Sequence, residues 1–114
     1  MHIAWLGKKS PFCGNVTYSR EITQSLLQRG HQVSFLHFDH EPPPASPQPD
    51  RHREVPLPFI FKSQILTIPS PSSGRLLVEA LDHLRPDLVH ASLTLSPLDL
   101  RLPEICQDLK LPLV

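Results

Sequence analysis

Glycine is scarce in this chain. Four glycines stand among 114 residues, about half the usual share, so glycine-rich flexible linkers and glycine-repeat fibres are excluded. Cysteine is scarcer still. Cys13 and Cys106 lie far apart and form no C-x-x-C pair, which removes a disulfide scaffold and a thiolate zinc site, and makes a reducing, cytoplasmic setting the default expectation. No apolar run reaches the roughly 18 residues of a membrane-spanning helix, and no heptad is sustained. The first apolar run, Ile3 to Leu6, precedes Lys8 and Lys9, whereas a signal peptide carries its charge first and a longer apolar stretch after it. Net charge is lacking too. Eleven Lys and Arg balance eleven Asp and Glu, and the cations are scattered, so they cannot converge on phosphates as a nucleic-acid partner would require.

Proline is what the chain has in excess. Of its 14 prolines, seven fall between Pro42 and Pro58, so the excess marks one segment. Between Asp39 and Glu54 the sole hydrophobic residue is Ala45, too little apolar area to offset the entropy of ordering. Residues 39–54 therefore read as an exposed, mobile, Pro-rich loop.

Around that loop the pattern alternates. Ile3 to Leu6 is a short apolar run closed by Gly7, which suits a buried strand. From Val16 helical spacing sets in, with Ser19, Ile22 and Leu26 on one stripe, and Gly30 supplies the left-handed position that ends a helix. Val33 to Phe38 reads as a second buried strand. Val55 to Ile68 holds eight large apolar residues in fourteen positions, enough for one or two strands, with Pro56 and Pro58 pushing the first toward a sheet edge. Ser72 or Ser73 can cap a helix whose inward stripe is Leu77, Ala80, Leu81 and Leu84, and Pro86 ends it. Asp87 to Ser92 is the next strand. Ser96-Pro97-Leu98-Asp99 has the form of a capping box with proline at the first helical position. Pro103 is expected to interrupt that helix and force a second start, and Leu111 to Val114 opens a last strand.

Strands alternating with helices imply parallel pairing through right-handed crossovers, hence a doubly wound α/β sheet. Ligands of such sheets sit beyond the carboxyl ends of the strands at the topological switch point. The loop Gly7 to Val16 and the segment Ser92 to Ser96 are therefore the functional edge. Gly7-Lys8-Lys9-Ser10-Pro11-Phe12-Cys13-Gly14-Asn15 joins a strand to a helix start, where free N–H groups can receive a phosphate or a hydroxyl. Its spacing fits neither a dinucleotide fingerprint nor a P-loop, and a plain proline-containing turn is the competing reading. His37, His40 and His52 with neighbouring acids suggest metal ligands by type. Alternation of faces separates His37 from His40, however, and a solvated strand end followed by a polar loop is the better reading, with no metal expected. His90 lies near the end of its strand beside Ser92, and both a ligand-facing role and a satisfied core histidine fit it. Cys13 has no basic partner fixed beside it, which argues against nucleophilic catalysis.

Taken in order, Ile3-Ala4-Trp5-Leu6-Gly7, the Pro11 to Gly14 loop, Arg29-Gly30-His31-Gln32-Val33, Arg85-Pro86-Asp87-Leu88-Val89-His90-Ala91 and Leu111-Pro112-Leu113-Val114 resemble the start of a GT-B glycosyltransferase of family 4. The resemblance covers nearly the whole chain except residues 39–54. Family members usually carry a Gly-Gly pair in the first loop, where this chain has Cys13-Gly14, so close backbone approach to a ligand is kept at Gly14 alone. The wording from Gly7 to Tyr18 is similar to cyanobacterial members, some of which extend glycolipid headgroups, and the apolar segment from Val55 to Ile68 suits a lipid acceptor or a peripheral membrane contact.

What the resemblance implies is a Rossmann-like, acceptor-side N-terminal domain, residues 1–114 being only part of it, with the donor-binding C-terminal domain absent and the fragment inactive alone. The implied reaction moves a sugar, with retention, from a nucleotide-sugar co-substrate to an acceptor, without a further cofactor. Gly14, Asn15, His90, Ser92 and Thr94 are the expected substrate-binding residues, and the catalytic ones are unassigned. A non-catalytic flavodoxin-like binding module is the alternative. Its receiver-like form wants an acidic pocket, and the strand ends here read Leu6-Gly7-Lys8 and His90-Ala91-Ser92.

Overall fold

The computed structural model describes residues 1–7, 14–38, 52–62, 67–92 and 96–114. Their elements are β1 (His2–Leu6), α1 (Gly14–Gln28), β2 (Gln32–His37), β3 (His52–Pro56), β4 (Phe59–Lys62), β5 (Thr67–Pro69), α2 (Ser73–Leu84), β6 (Leu88–Ala91) and α3 (Leu98–Leu109). Four strands form a parallel sheet in the order β3-β2-β1-β6, and β4 and β5 make a separate antiparallel hairpin. The α/β reading with a parallel, helix-flanked sheet is thus correct. Leu113 bridges to Val89 in parallel, and the Val114 N–H donates to the Val89 carbonyl at 2.8 Å, continuing the sheet beyond β6.

Period-two alternation in β1 sorts the core into two layers. Trp5 packs with Val33 and Phe35 beneath Leu26 and Leu27 of α1. Ala4 and Leu6 join Leu36, Val89, Leu77 and Leu81 of α2, and Leu102, Ile105 and Cys106 of α3. Helices on both faces leave the inner strands β1 and β2 buried on both sides, which is why they read as nearly continuous hydrophobic runs.

Several local expectations need correction. β3 begins at His52, so the loop read over residues 39–54 overran by three residues, because parallel pairing with Val33 to Phe35 satisfies the polar strand His52-Arg53-Glu54. The rest of that loop lies outside the described residues. Helix α1 starts at Gly14, two residues before Val16. Its buried stripe is Ser19 and Thr23, not Ile22, because the Thr23 hydroxyl donates to the Ser19 carbonyl at 2.7 Å and so goes inward without an unmet polar group. His37 is buried rather than solvated, its ring set against Phe35 with centroids 5.8 Å apart.

At the helix ends, Ser72 occupies the N-cap of α2 without a side-chain bond to the helix, and Ser73 Oγ donates instead to the Ser70 carbonyl at 2.8 Å. Arg85, squeezed by Pro86, ends α2 in the left-handed conformation at φ 44°. The capping box of α3 is present on its reciprocal side, the Ser96 N–H reaching Asp99 Oδ2 at 3.4 Å. Helix α3 then runs through Pro103 without a second start. Pro103 is exposed while Leu102, Ile105 and Cys106 are buried, so core packing holds the helix together through the proline.

Candidate functional site at the switch point

In the order β3-β2-β1-β6 the chain runs outward from β1 to β2 and β3, then returns to place β6 on the other side of β1. The crevice between the carboxyl ends of β1 and β6 is therefore the switch point. Its floor is tightly drawn. Ser92 N–H donates to the Leu6 carbonyl at 2.9 Å, and Gly7 N–H donates to the Leu36 carbonyl at 3.1 Å. The chain leaving β1 and the chain leaving β6 thus diverge from adjacent points of the sheet.

Gly7 is fixed by space. A Cβ there would lie 2.8 Å from Trp5 Nε1 and 2.9 Å from Ser19 Oγ, closer than real side chains approach. Those two atoms are themselves hydrogen-bonded at 3.0 Å, in the core between β1 and α1. The bond ties the second turn of α1 to the strand beneath it. It thereby fixes α1 against the strand that leads to the crevice, and the first N–H groups of α1, as in any helix, lack helical partners.

Gly14 and Asn15 fall in the first turn of α1. His90 lies on β6 in register with Trp5, and its ring stacks on the indole with centroids 4.2 Å apart and planes tilted by 32°. Burial lowers the His90 pKa below its ordinary value, so the ring is neutral at pH 7 and can exchange hydrogen bonds with hydroxyls but supplies no cation. Ser92 follows β6 and is buried at the edge of the sheet. Thr94 lies outside the described residues, as do Cys13 and His40. Among the described residues no group of three or more His, Cys, Asp or Glu side chains is arranged to hold a metal ion. Cys106 is a free thiol in the core under α3, its pKa raised by burial.

Trp5 and Ser19 are the residues that sequence reading missed here. The signal was faint: a tryptophan three residues into an apolar strand, and a serine on the inward stripe of the following helix, each able to satisfy the other's polar atom. Beside them Trp5, Tyr18, Leu88, His90 and Val114 line an open depression of about 230 Å³ on the α1 face. Its walls are almost wholly apolar, which suits packing better than recognition of a sugar or phosphate. Among the described residues no helix is long and apolar enough to cross a membrane.

No curated protein matches the chain. A family model does, over residues 13–114, which takes in every element after β1. By that match, the chain belongs to Glycosyltransferase Family 4.

Proposed function

We propose that this chain forms the acceptor-side domain of a retaining GT-B glycosyltransferase that moves a sugar from a nucleotide-sugar donor to a glycolipid acceptor. The observation that supports the reading is the strand order, in which β6 lies beside β1: the start of α1, with Gly14 and Asn15, and the end of β6, with His90 and Ser92, belong to the two segments that follow these neighbouring parallel strands. Backbone N–H groups of α1 would stabilise negative charge that builds on the departing nucleotide phosphate, preorganised by the Trp5–Ser19 bond. Neutral His90, Ser92 and Thr94 would hold acceptor hydroxyls, the neutral ring serving as hydrogen-bond partner without attracting the donor phosphates. No cofactor beyond the nucleotide-sugar is needed for this chemistry. A second domain would carry the donor.

The test is acceptor binding and transfer measured separately. The 114-residue chain should bind short glycolipid headgroups in an NMR saturation-transfer experiment and transfer nothing when given nucleotide-sugars. The enzyme joined to its donor domain should transfer, with Asn15→Ala and Ser92→Ala raising acceptor KM more than they lower kcat. Unchanged KM in both variants would remove these residues from the site, and transfer by the 114-residue chain alone would overturn the two-domain reading.

A further inference from the structure

His2 and His90 are both partly buried histidines of the central strands, and they are held in different ways. The His2 ring is fixed through a nitrogen, its Nε2 lying 2.8 Å from Ser34 Oγ. His90 has no hydrogen-bond partner among the described residues, and its ring is held by the face of the Trp5 indole, with centroids 4.2 Å apart and planes tilted by 32°. A stacked contact of this kind sets the plane of an imidazole and uses neither nitrogen. The neutral ring keeps one donor and one acceptor free, and either nitrogen can carry the proton.

The indole is a rigid platform for that ring. Trp5 is buried, its N–H donates to Ser19 Oγ at 3.0 Å, and the Tyr18 ring lies against it with centroids 5.8 Å apart. Val33 and Phe35 pack on it from β2, and Gly7 leaves it room, since a Cβ there would lie 2.8 Å from its Nε1. Trp5 and His90 are register partners on neighbouring strands, so the pleat of the sheet itself brings their side chains together on one face. Everything that holds the indole therefore holds the plane of the imidazole.

We infer that Trp5 is a positioning residue for the sugar acceptor: its indole face fixes the His90 imidazole with an unprotonated nitrogen free to accept a hydrogen bond from an acceptor hydroxyl. The inference deepens the proposed function, and it rests on the reading that His90 lies in the acceptor site. Protonation would turn that nitrogen into a second donor and end the contact. Burial alone lowers the His90 pKa, with no charged group contributing, so the neutral ring persists to lower pH than a free histidine would. Among the described residues, Tyr18 of α1 is the other titratable side chain lining the depression that holds His90.

NMR of the 114-residue chain with labelled histidine tests the stack without acceptor or transfer. The His90 ring protons should lie upfield, shifted by the indole ring current, and unshifted protons in the wild-type chain overturn the inference with no variant needed. Trp5→Leu should abolish that shift and move the His90 titration midpoint to higher pH, because the uncovered ring regains water. Trp5→Phe keeps an aromatic face and should retain much of both effects. In the enzyme joined to its donor domain, Trp5→Leu should raise acceptor KM about three- to tenfold, the worth of one oriented hydrogen bond, with kcat little changed and Trp5→Phe closer to wild type. Wild-type acceptor KM should rise as pH falls through the His90 pKa, and in Trp5→Leu that break should move to higher pH. A merely structural role for Trp5 would raise KM and leave the break where it was, which overturns the inference. An unchanged KM in Trp5→Leu, where His90→Ala raises it, overturns the inference and spares the acceptor site. An unchanged KM in His90→Ala, with the stack present by NMR, faults instead the acceptor reading on which the inference rests.

Discussion

The indole N–H of Trp5 donates to Ser19 Oγ at 3.0 Å, and both groups are buried between β1 and α1. Ser19→Ala leaves that N–H without its acceptor in a site closed to water. A buried donor stripped of its partner costs about 1–3 kcal/mol, and urea unfolding should report a loss in that range. On a Trp5→Phe background, where the donor is gone, the same substitution should cost much less. Equal costs on the two backgrounds would mean that the hydrogen bond contributes nothing.

Gly7→Ala tests the same locus from the backbone side. The new methyl meets Trp5 Nε1 and Ser19 Oγ inside 3 Å, and neither is the loose end of a flexible chain. Overpacking of this kind costs about 1–3 kcal/mol. Because Ser19→Ala removes one of the two clashing atoms, the alanine at position 7 should be cheaper in that background. Chemical denaturation of the four variants in a cycle gives the coupling directly.

Two histidines tie stability to pH. Burial lowers the pKa of His90, and the same cause, partly opposed by attraction to Asp87, lowers that of His2. In the window below the ordinary value of 6.5, the unfolded chain takes up protons that the folded one refuses. Stability present above that value is therefore lost as pH falls through the window down to the lowered folded pKa. Thermal melts between pH 8 and pH 5 should show a falling midpoint, and His90→Gln should flatten the slope without removing it, because His2 still titrates. A midpoint that rises with acid would mean that the cation gains more from stacking on the Trp5 ring than it loses by desolvation.

The sheet, its parallel order and the positions of α1, α2 and β6 were legible because each rests on local patterning: apolar runs, a helical stripe, Gly30 and Pro86 as stops. His52-Arg53-Glu54 was not, because its strand character comes from pairing with β2 and its composition is that of a loop. The burial of His37 was hidden for a similar reason, since nothing in the sequence shows that the Phe35 ring covers it. At the candidate site, His90 and Ser92 could be placed at a strand end from sequence alone. That Trp5 lies under His90 depends on the register of β1 against β6, which parallel strands far apart in the chain do not encode locally.

Pro103 marks where a strong local rule yields to packing, and it supports a prediction of opposite sign to the others. Proline in a helix interior removes one donor and crowds the carbonyl four residues earlier, here that of Asp99. Helix α3 nevertheless continues through it, because Leu102 on one side and Ile105 and Cys106 on the other are buried against α2 and the sheet. Since Pro103 itself is exposed, Pro103→Ala removes no core contact and restores the backbone N–H at position 103. Against that gain stands the greater freedom of the unfolded chain, about 0.4–1 kcal/mol when a proline is lost. The helix-interior penalty of proline relative to alanine, about 3 kcal/mol, is the larger quantity. Pro103→Ala should therefore stabilise the protein by about 1–2 kcal/mol and slow amide exchange at residue 103 and its neighbours. A lower melting temperature would show that the proline holds a bend in α3 that the packing of Leu102 and Ile105 requires.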